Sequence, residues 1–235
     1  MRNKVFLIAF GFLFTSGASQ AALYDRGSSL IYDDVLDVTW LQDANYSKTT
    51  GYSSDGSMTW VEADAWAQSL DVSGITNWRL PSTKDFGGDG CNWSESSNGG
   101  GGTDCGYSVA PTSSEMANLF HTTLGNNAYN TWPWADNTYN GLKNSGLFIN
   151  IQPNTYWSST VYALDPNSRW FFSFGTGLQR QVPLYENAML YAWAVHDGDV
   201  AAIPEPETYA MLLIGLAMMG FVVRRRRNNT QPVCL

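Results

Sequence analysis

Apolar positions are unevenly spread along the 235 residues. Two uninterrupted apolar runs lie near the ends, at residues 5–14 and 209–223, and between them the spacing switches between a period near 3.6 and a period of two. Trp60, Ala63, Trp66, Ala67 and Leu70 recur at helical spacing. Thr59-Trp60-Val61-Glu62 ahead of them is a capping box, in which the hydroxyl and the carboxylate each satisfy the other residue's amide. A first helix is predicted there, with Gly74 ending the region. Thr112-Ser113-Ser114-Glu115 repeats the pattern before Met116, Leu119, Phe120, Thr123 and Leu124. This predicts a second amphipathic helix with Gly125 at its C-cap. The remainder reads as β structure with long loops. Residues 30–41 predict two short strands around a turn supplied by Asp33 and Asp34. Residues 147–151, 155–158 and 189–195 predict further strands, and residues 170–182 predict a hairpin turning at Gly175-Thr176-Gly177. Residues 45–57 predict a loop, 78–81 a short segment stopped by Pro81, and 82–89 a turn or short helix. The expected class is α+β: two helices packed on small antiparallel sheets, with no internal repeat.

The end runs give the chain its direction. Arg2 and Lys4 precede the apolar run 5–14, and Ser19-Gln20-Ala21 supplies small residues for cleavage, so residues 1–22 read as a secretory signal peptide. At the other end Pro204-Glu205-Pro206 is followed by an apolar helix at 208–223 and then by Arg224, Arg225, Arg226 and Arg227. The run 209–223 would be roughly 22 Å long as a helix, short against a bilayer core of about 30 Å, and snorkelling arginines or local thinning would accommodate it. Four arginines on one side place the C-terminal tail, 228–235, in the cytoplasm and the preceding body outside. This stretch resembles the PEP-CTERM sorting signal of Gram-negative bacteria. The resemblance implies recognition of Pro204-Glu205-Pro206 by an exosortase-type protease after Sec export. The chain would be held transiently at the inner membrane, cut, and left at the cell surface or outside the cell.

Charge and cysteine content narrow the body, 23–200. It keeps 7 of the 13 basic and 19 of the 21 acidic residues, a formal charge of −12. That field repels nucleic acid and other polyanions. All ten tryptophans lie here, enough large apolar surface for one folded domain. Cys91 and Cys105 flank the Gly-rich stretch 98–102. An oxidising route of export predicts a Cys91–Cys105 disulfide, worth about 3 kcal/mol by chain entropy for a loop of this length. Cys234 lies beyond the membrane segment and has no assigned role.

No catalytic constellation is present. The nucleophile elbow, zinc-protease helix, paired-cysteine redox motif and phosphate loop are all missing. His121 and His196 have no acidic partner assignable by spacing. Asp33, Asp34 and Asp37 read either as turn-forming aspartates or as ligands of a Ca²⁺ ion, the one cofactor considered. Trp132-Pro133-Trp134, set among Asn127, Asn130, Asp136 and Asn137, could offer flat apolar faces to sugar rings, as could Trp93; equally, these tryptophans could plug the core.

Several segments in order, 41–46, 58–63, Asn77-Trp78-Arg79-Leu80-Pro81-Ser82, 91–93, 114–120, 156–159 and 191–199, are together similar to the Lcl C-terminal-like domain family. The resemblance implies a C-type-lectin-like α+β fold and a binding role. Trp78-Arg79-Leu80-Pro81 also resembles formylglycine-generating enzymes. His196-Asp197 stands where the family usually has Arg-Pro, and a body at −12 is a poor match for the sulfated glycans that the best-known member of this largely uncharacterised family binds. The expectation is therefore an exported surface or matrix protein, not an enzyme, with a binding domain for carbohydrate or exopolysaccharide. The alternatives are a formylglycine-generating type of enzyme and a purely structural matrix component.

Overall fold

The computed structural model describes residues 22–85, 91–92, 104–107, 109–129, 140–200 and 214–219. Eleven strands are described: β1 Leu23–Gly27, β2 Leu30–Asp33, β3 Val38–Leu41, β4 Ser57–Met58, β5 Cys91–Asn92, β6 Cys105–Gly106, β7 Thr155–Tyr162, β8 Asp165–Ser173, β9 Gln179–Pro183, β10 Leu190–Tyr191 and β11 Val195–Asp197. With them go the helices α1 Tyr46–Thr49, α2 Trp60–Ser69 and α3 Glu115–Asn118, the last running into a π-helical turn at Leu119–Thr123. The class is α+β, as the periodicity predicts. One sheet has the order β1-β2-β3-β11, the other β4-β10-β7-β8-β9-β6-β5.

Local chemistry sets several elements as expected. The β2–β3 turn forms around Asp33, whose Oδ1 accepts from the amides of Val35 at 3.1 Å and Leu36 at 3.3 Å. Thr59 and Glu62 make both halves of the capping box of α2, which buries Ala63, Trp66 and Ala67. The β8–β9 hairpin turns where predicted. Gly177 there has φ of +75°, and an added Cβ would lie 2.6 Å from Ala128 Cβ, so only glycine fits.

Other expectations are corrected. The predicted strand at 147–151 forms only one bridge, Asp43 to Ile149, because Asn150 adopts φ of +57° and turns the chain out of the extended region. The predicted strand 189–195 is two strands in different sheets: β10 pairs with β4 and β7, and β11 with β3. The stretch read as loop at 45–57 contains α1 and the start of β4. The second helix begins not at Thr112 but at Glu115, with Ser114 as its cap, its Oγ accepting from Ala117 N at 2.9 Å. Pro111–Ser113 are a 3-10 turn instead. At its far end Gly125 has φ of +65° and Asn126 N donates to Phe120 O, so the glycine stop stands. Among the described residues no helix is long and apolar enough to cross a membrane. Of the predicted helix 208–223, residues 214–219 are helical, and the others lie outside the described residues, as does the predicted signal peptide up to residue 21.

The core lies where the two sheets meet. Trp193, between β10 and β11, packs on Trp40 of β3 at 4.9 Å between ring centroids and on Phe148 at 5.0 Å. It also packs on Phe174 at 5.6 Å and Tyr156 at 5.9 Å, beside β8 and on β7. Its indole N–H donates to Leu41 O at 2.7 Å. Most of the buried indoles have such a partner: Trp157, Trp78 and Trp170 find theirs in Met58 O, Ile75 O and Asp85 Oδ2, whereas Trp40 Nε1 has none among the described residues. Trp40, Trp66, Trp78, Trp157, Trp170 and Trp193 are all fully buried. Most of the tryptophan content therefore builds the core.

Candidate functional site

One charged residue organises the surface between the sheets. Arg79 lies in the segment 78–81, whose backbone pairs with Val195 through both its N–H and its C=O at 2.9 Å. Its guanidinium donates to Glu115 Oε2 at 2.9 Å and Oε1 at 2.7 Å, to Leu80 O at 3.1 Å, and to Asp197 Oδ1 through Nε at 3.0 Å. Glu115 Oε2 also accepts from Ser82 N at 2.6 Å. Burial alone would lower the Arg79 pKa, but Glu115 and Asp197 outweigh it and hold the cation firmly charged. Arg79 in turn lowers Asp197 below the usual carboxylate range. A planar fork suits this task, since it grips one carboxylate with two bonds and still reaches a second.

This fork sets up a pocket next to it. Residues 82–84 run antiparallel to 113–115: Glu115 N donates to Ser82 O at 3.1 Å, Lys84 N to Ser113 O at 2.6 Å, and Thr83 bridges Ser114. Together with the β2–β3 turn they enclose about 410 Å³, lined by Leu36, Lys84, Pro111, Thr112, Glu115 and Asn118 among others. Asn118 is only 8 % exposed, and its Oδ1 is buried with no donor. Lys84 is exposed at the wall and has no ion-pair partner among the described residues. Most buried acceptors are satisfied, so Asn118 Oδ1 stands out as an unpaired acceptor on a residue that lines the pocket.

The residues singled out by sequence are distributed elsewhere. Cys91 and Cys105 are register partners in the parallel pair β5–β6. Trp93, Trp132 and Trp134 lie outside the described residues, as do Pro204, Glu205, Pro206 and Arg224, Arg225, Arg226 and Arg227. The three aspartates considered for Ca²⁺ are turned to separate tasks. Asp33 holds its turn, Asp34 Oδ1 accepts from Ala22 N at 3.0 Å, and Asp37 Oδ1 accepts from Tyr32 Oη at 3.0 Å. Among the described residues no group of three or more His, Cys, Asp or Glu side chains could hold a metal ion. His121 sits edge-on to Phe120 at 4.9 Å, its Nδ1 3.3 Å from Asn126 O and its buried Nε2 without a partner. Burial lowers its pKa to about 4. His196 packs edge-on to Trp78 at 5.7 Å. No nucleophile stands beside either ring in the described bonds.

Sequence reasoning named the segment of Arg79 without seeing the residue's task. The signal was there: one of seven basic residues in the body stands between Trp78 and Leu80, in a segment that must be buried. A cation in such a place requires a carboxylate. Lys84 and Asn118 gave no comparable signal, because their meeting depends on the 82–84 and 113–115 pairing.

Comparison with known proteins adds one assignment. Residues 202–227 match the family described as the PEP-CTERM protein-sorting motif. The chain thus carries a sorting motif of that class, which implies an exported protein processed by exosortase. Neither a curated protein nor a solved structure matches the chain.

Proposed function

We propose that the body, 23–200, is a non-catalytic binding domain that the sorting motif delivers to the cell surface or extracellular matrix, where it engages polysaccharide. The sorting match at 202–227 carries the location. The pocket beside Arg79, with an unsatisfied buried acceptor in its wall, carries the binding role. Resemblance of the ordered sequence segments to the Lcl C-terminal-like family supports a C-type-lectin-like domain. On this reading residues 1–22 are a signal peptide, residues 208–223 hold the precursor in the inner membrane, and exosortase cuts at Pro204-Glu205-Pro206. A Cys91–Cys105 disulfide staples the Gly-rich loop. The register of β5 against β6 and the oxidised state of Cys105 support it.

The test is retention of the purified body on extracellular polysaccharide from the producing cell. Saturable retention supports the reading, and passage straight through the matrix rejects it. Fractionating cells with and without the exosortase tests the sorting half. The body should leave the inner membrane shortened only when the protease is present. Full-length protein, arginines included, in the membrane of both strains would reject it.

A further inference from the structure

We infer that the pocket between residues 82–84, 111–118 and the β2–β3 turn binds one sugar unit through a pair of neighbouring hydroxyls. This deepens the proposed function and rests on it. Asn118 Oδ1 is a buried acceptor with no donor, in a side chain only 8 % exposed. Leaving such an acceptor dry is costly, so a ligand that supplies an O–H or N–H there gains the recovered bond. Lys84, on the same wall, brings ammonium donors that have no carboxylate partner among the described residues. Asn118 and Lys84 line the same space, and an amide acceptor beside an ammonium donor suits adjacent hydroxyls, each of which can both donate and accept. Leu36 and Pro111 supply apolar wall for the C–H face of a ring, and about 410 Å³ admits one pyranose with water.

The neighbouring charges exclude a close competitor. An amino acid or other zwitterion would place its ammonium on Glu115. Both oxygens of Glu115 are already held by Arg79, and one also by Ser82 N. Among the described lining residues no free anion is left to meet a second cation, whereas a neutral hydroxyl makes no such demand. A polyanion is disfavoured by the −12 body.

The experiment titrates the purified body with the methyl glycosides of glucose, galactose and mannose and, separately, with glycine, following amide shifts by NMR. Saturable binding of at least one glycoside is expected, with Kd on the order of millimolar for so small a ligand. The shifts should centre on residues 82–84 and 111–118. Thr112→Trp, at an exposed wall position, should fill the pocket and weaken binding by about tenfold or more, without lowering Tm. Lys84→Ala should weaken it several-fold, and Asn118→Ala should do the same if the variant folds. Glycoside binding unchanged in Thr112→Trp and Lys84→Ala would overturn the proposal, as would glycine binding in place of glycosides. Retention of polysaccharide with no glycoside effect in this pocket would overturn the site and leave the general reading standing. Loss of both in the wild-type body would overturn both.

Discussion

Asp33 shows how one side chain can serve the fold at a cost. It is fully buried, and its Oδ1 holds the β2–β3 turn while Oδ2 accepts from Thr123 Oγ1 at 3.3 Å. Burial raises its pKa, and the amides of Leu36 and Val35 offset only part of that. A raised carboxyl favours the neutral form in the folded state. Its contribution is whole below the ordinary carboxylate range and is lost as pH rises through the folded value. Asp33→Asn keeps the acceptor that the turn needs and removes the charge. We expect it to raise Tm at pH 7, with the gain shrinking towards pH 3; a lower Tm at pH 7 would reject this account. His121 works in the opposite direction. Burial lowers it to about 4, so the folded state holds the neutral ring while the unfolded chain protonates below about 6.5. Stability is whole above that point and falls towards pH 4, by up to roughly 3 kcal/mol. Denaturant unfolding at pH 7 and pH 4.5 should show that loss in the wild type and much less of it in His121→Leu. Neither residue's environment was legible in the sequence. The turn at Asp33 was, because turn chemistry is local.

Elements that depend on contacts a few residues away were readable, and those that depend on distant partners were not. The capping box of α2 closes within Thr59–Glu62, and the structure contains it as written. The same pattern at 112–115 fails because Glu115 is drawn to Arg79, 36 residues away, and to Ser82 N, and cannot turn back to a cap. The helix therefore starts later, under Ser114. Continuous apolar character at 189–195 read as one strand, yet Ala192, Trp193 and Ala194 cross between sheets to bury Trp193 at their junction. The pocket was illegible for the same reason, since residues 82–84 and 113–115 are far apart in sequence and are brought together by backbone pairing and by the Arg79–Glu115 bonds. That dependence gives a prediction for α3, β11 and the segment 78–81 together. Arg79→Met removes both carboxylates' partner and leaves Glu115, with a side chain 13 % exposed, uncompensated. A loss of about 3–5 kcal/mol is expected in denaturant unfolding. Arg79→Lys should recover only part of it, because an ammonium lacks the two-pronged geometry. A cost within experimental error for Arg79→Met would show that the fork does not hold these elements.

The two ends of the described body meet on the four-stranded sheet. Ala22 N donates to Asp34 Oδ1 at 3.0 Å, and Arg26 Nε donates to Asp199 Oδ1 at 2.8 Å. Gly198 N donates to Asp37 O at 2.8 Å and Val200 N to Thr39 Oγ1 at 3.1 Å. The chain is therefore fastened to the fold as far as Val200, and the sorting match begins at residue 202. Three residues separate Val200 from Pro204, and the four Cα–Cα steps reach at most about 14 Å when fully extended. On the proposed reading, in which exosortase cuts at Pro204-Glu205-Pro206 at the membrane, a folded body at that distance would sit against the membrane surface or the protease during cutting. The clearance is short enough that shortening it should matter more than lengthening it. Deleting residues 201–203 would bring the clamped Val200 directly to the motif, and the body would obstruct the protease. In cells with the exosortase, immunoblotting should then show exported but uncut precursor. Inserting ten Gly/Ser residues after Val200 should leave cutting at least as fast as in the wild type. Releasing the clamp by Arg26→Ala in the deletion background should restore part of the cutting, because residues 199 and 200 could then peel away to lengthen the tether. Wild-type processing of the deletion would show that the body imposes no steric limit on the protease.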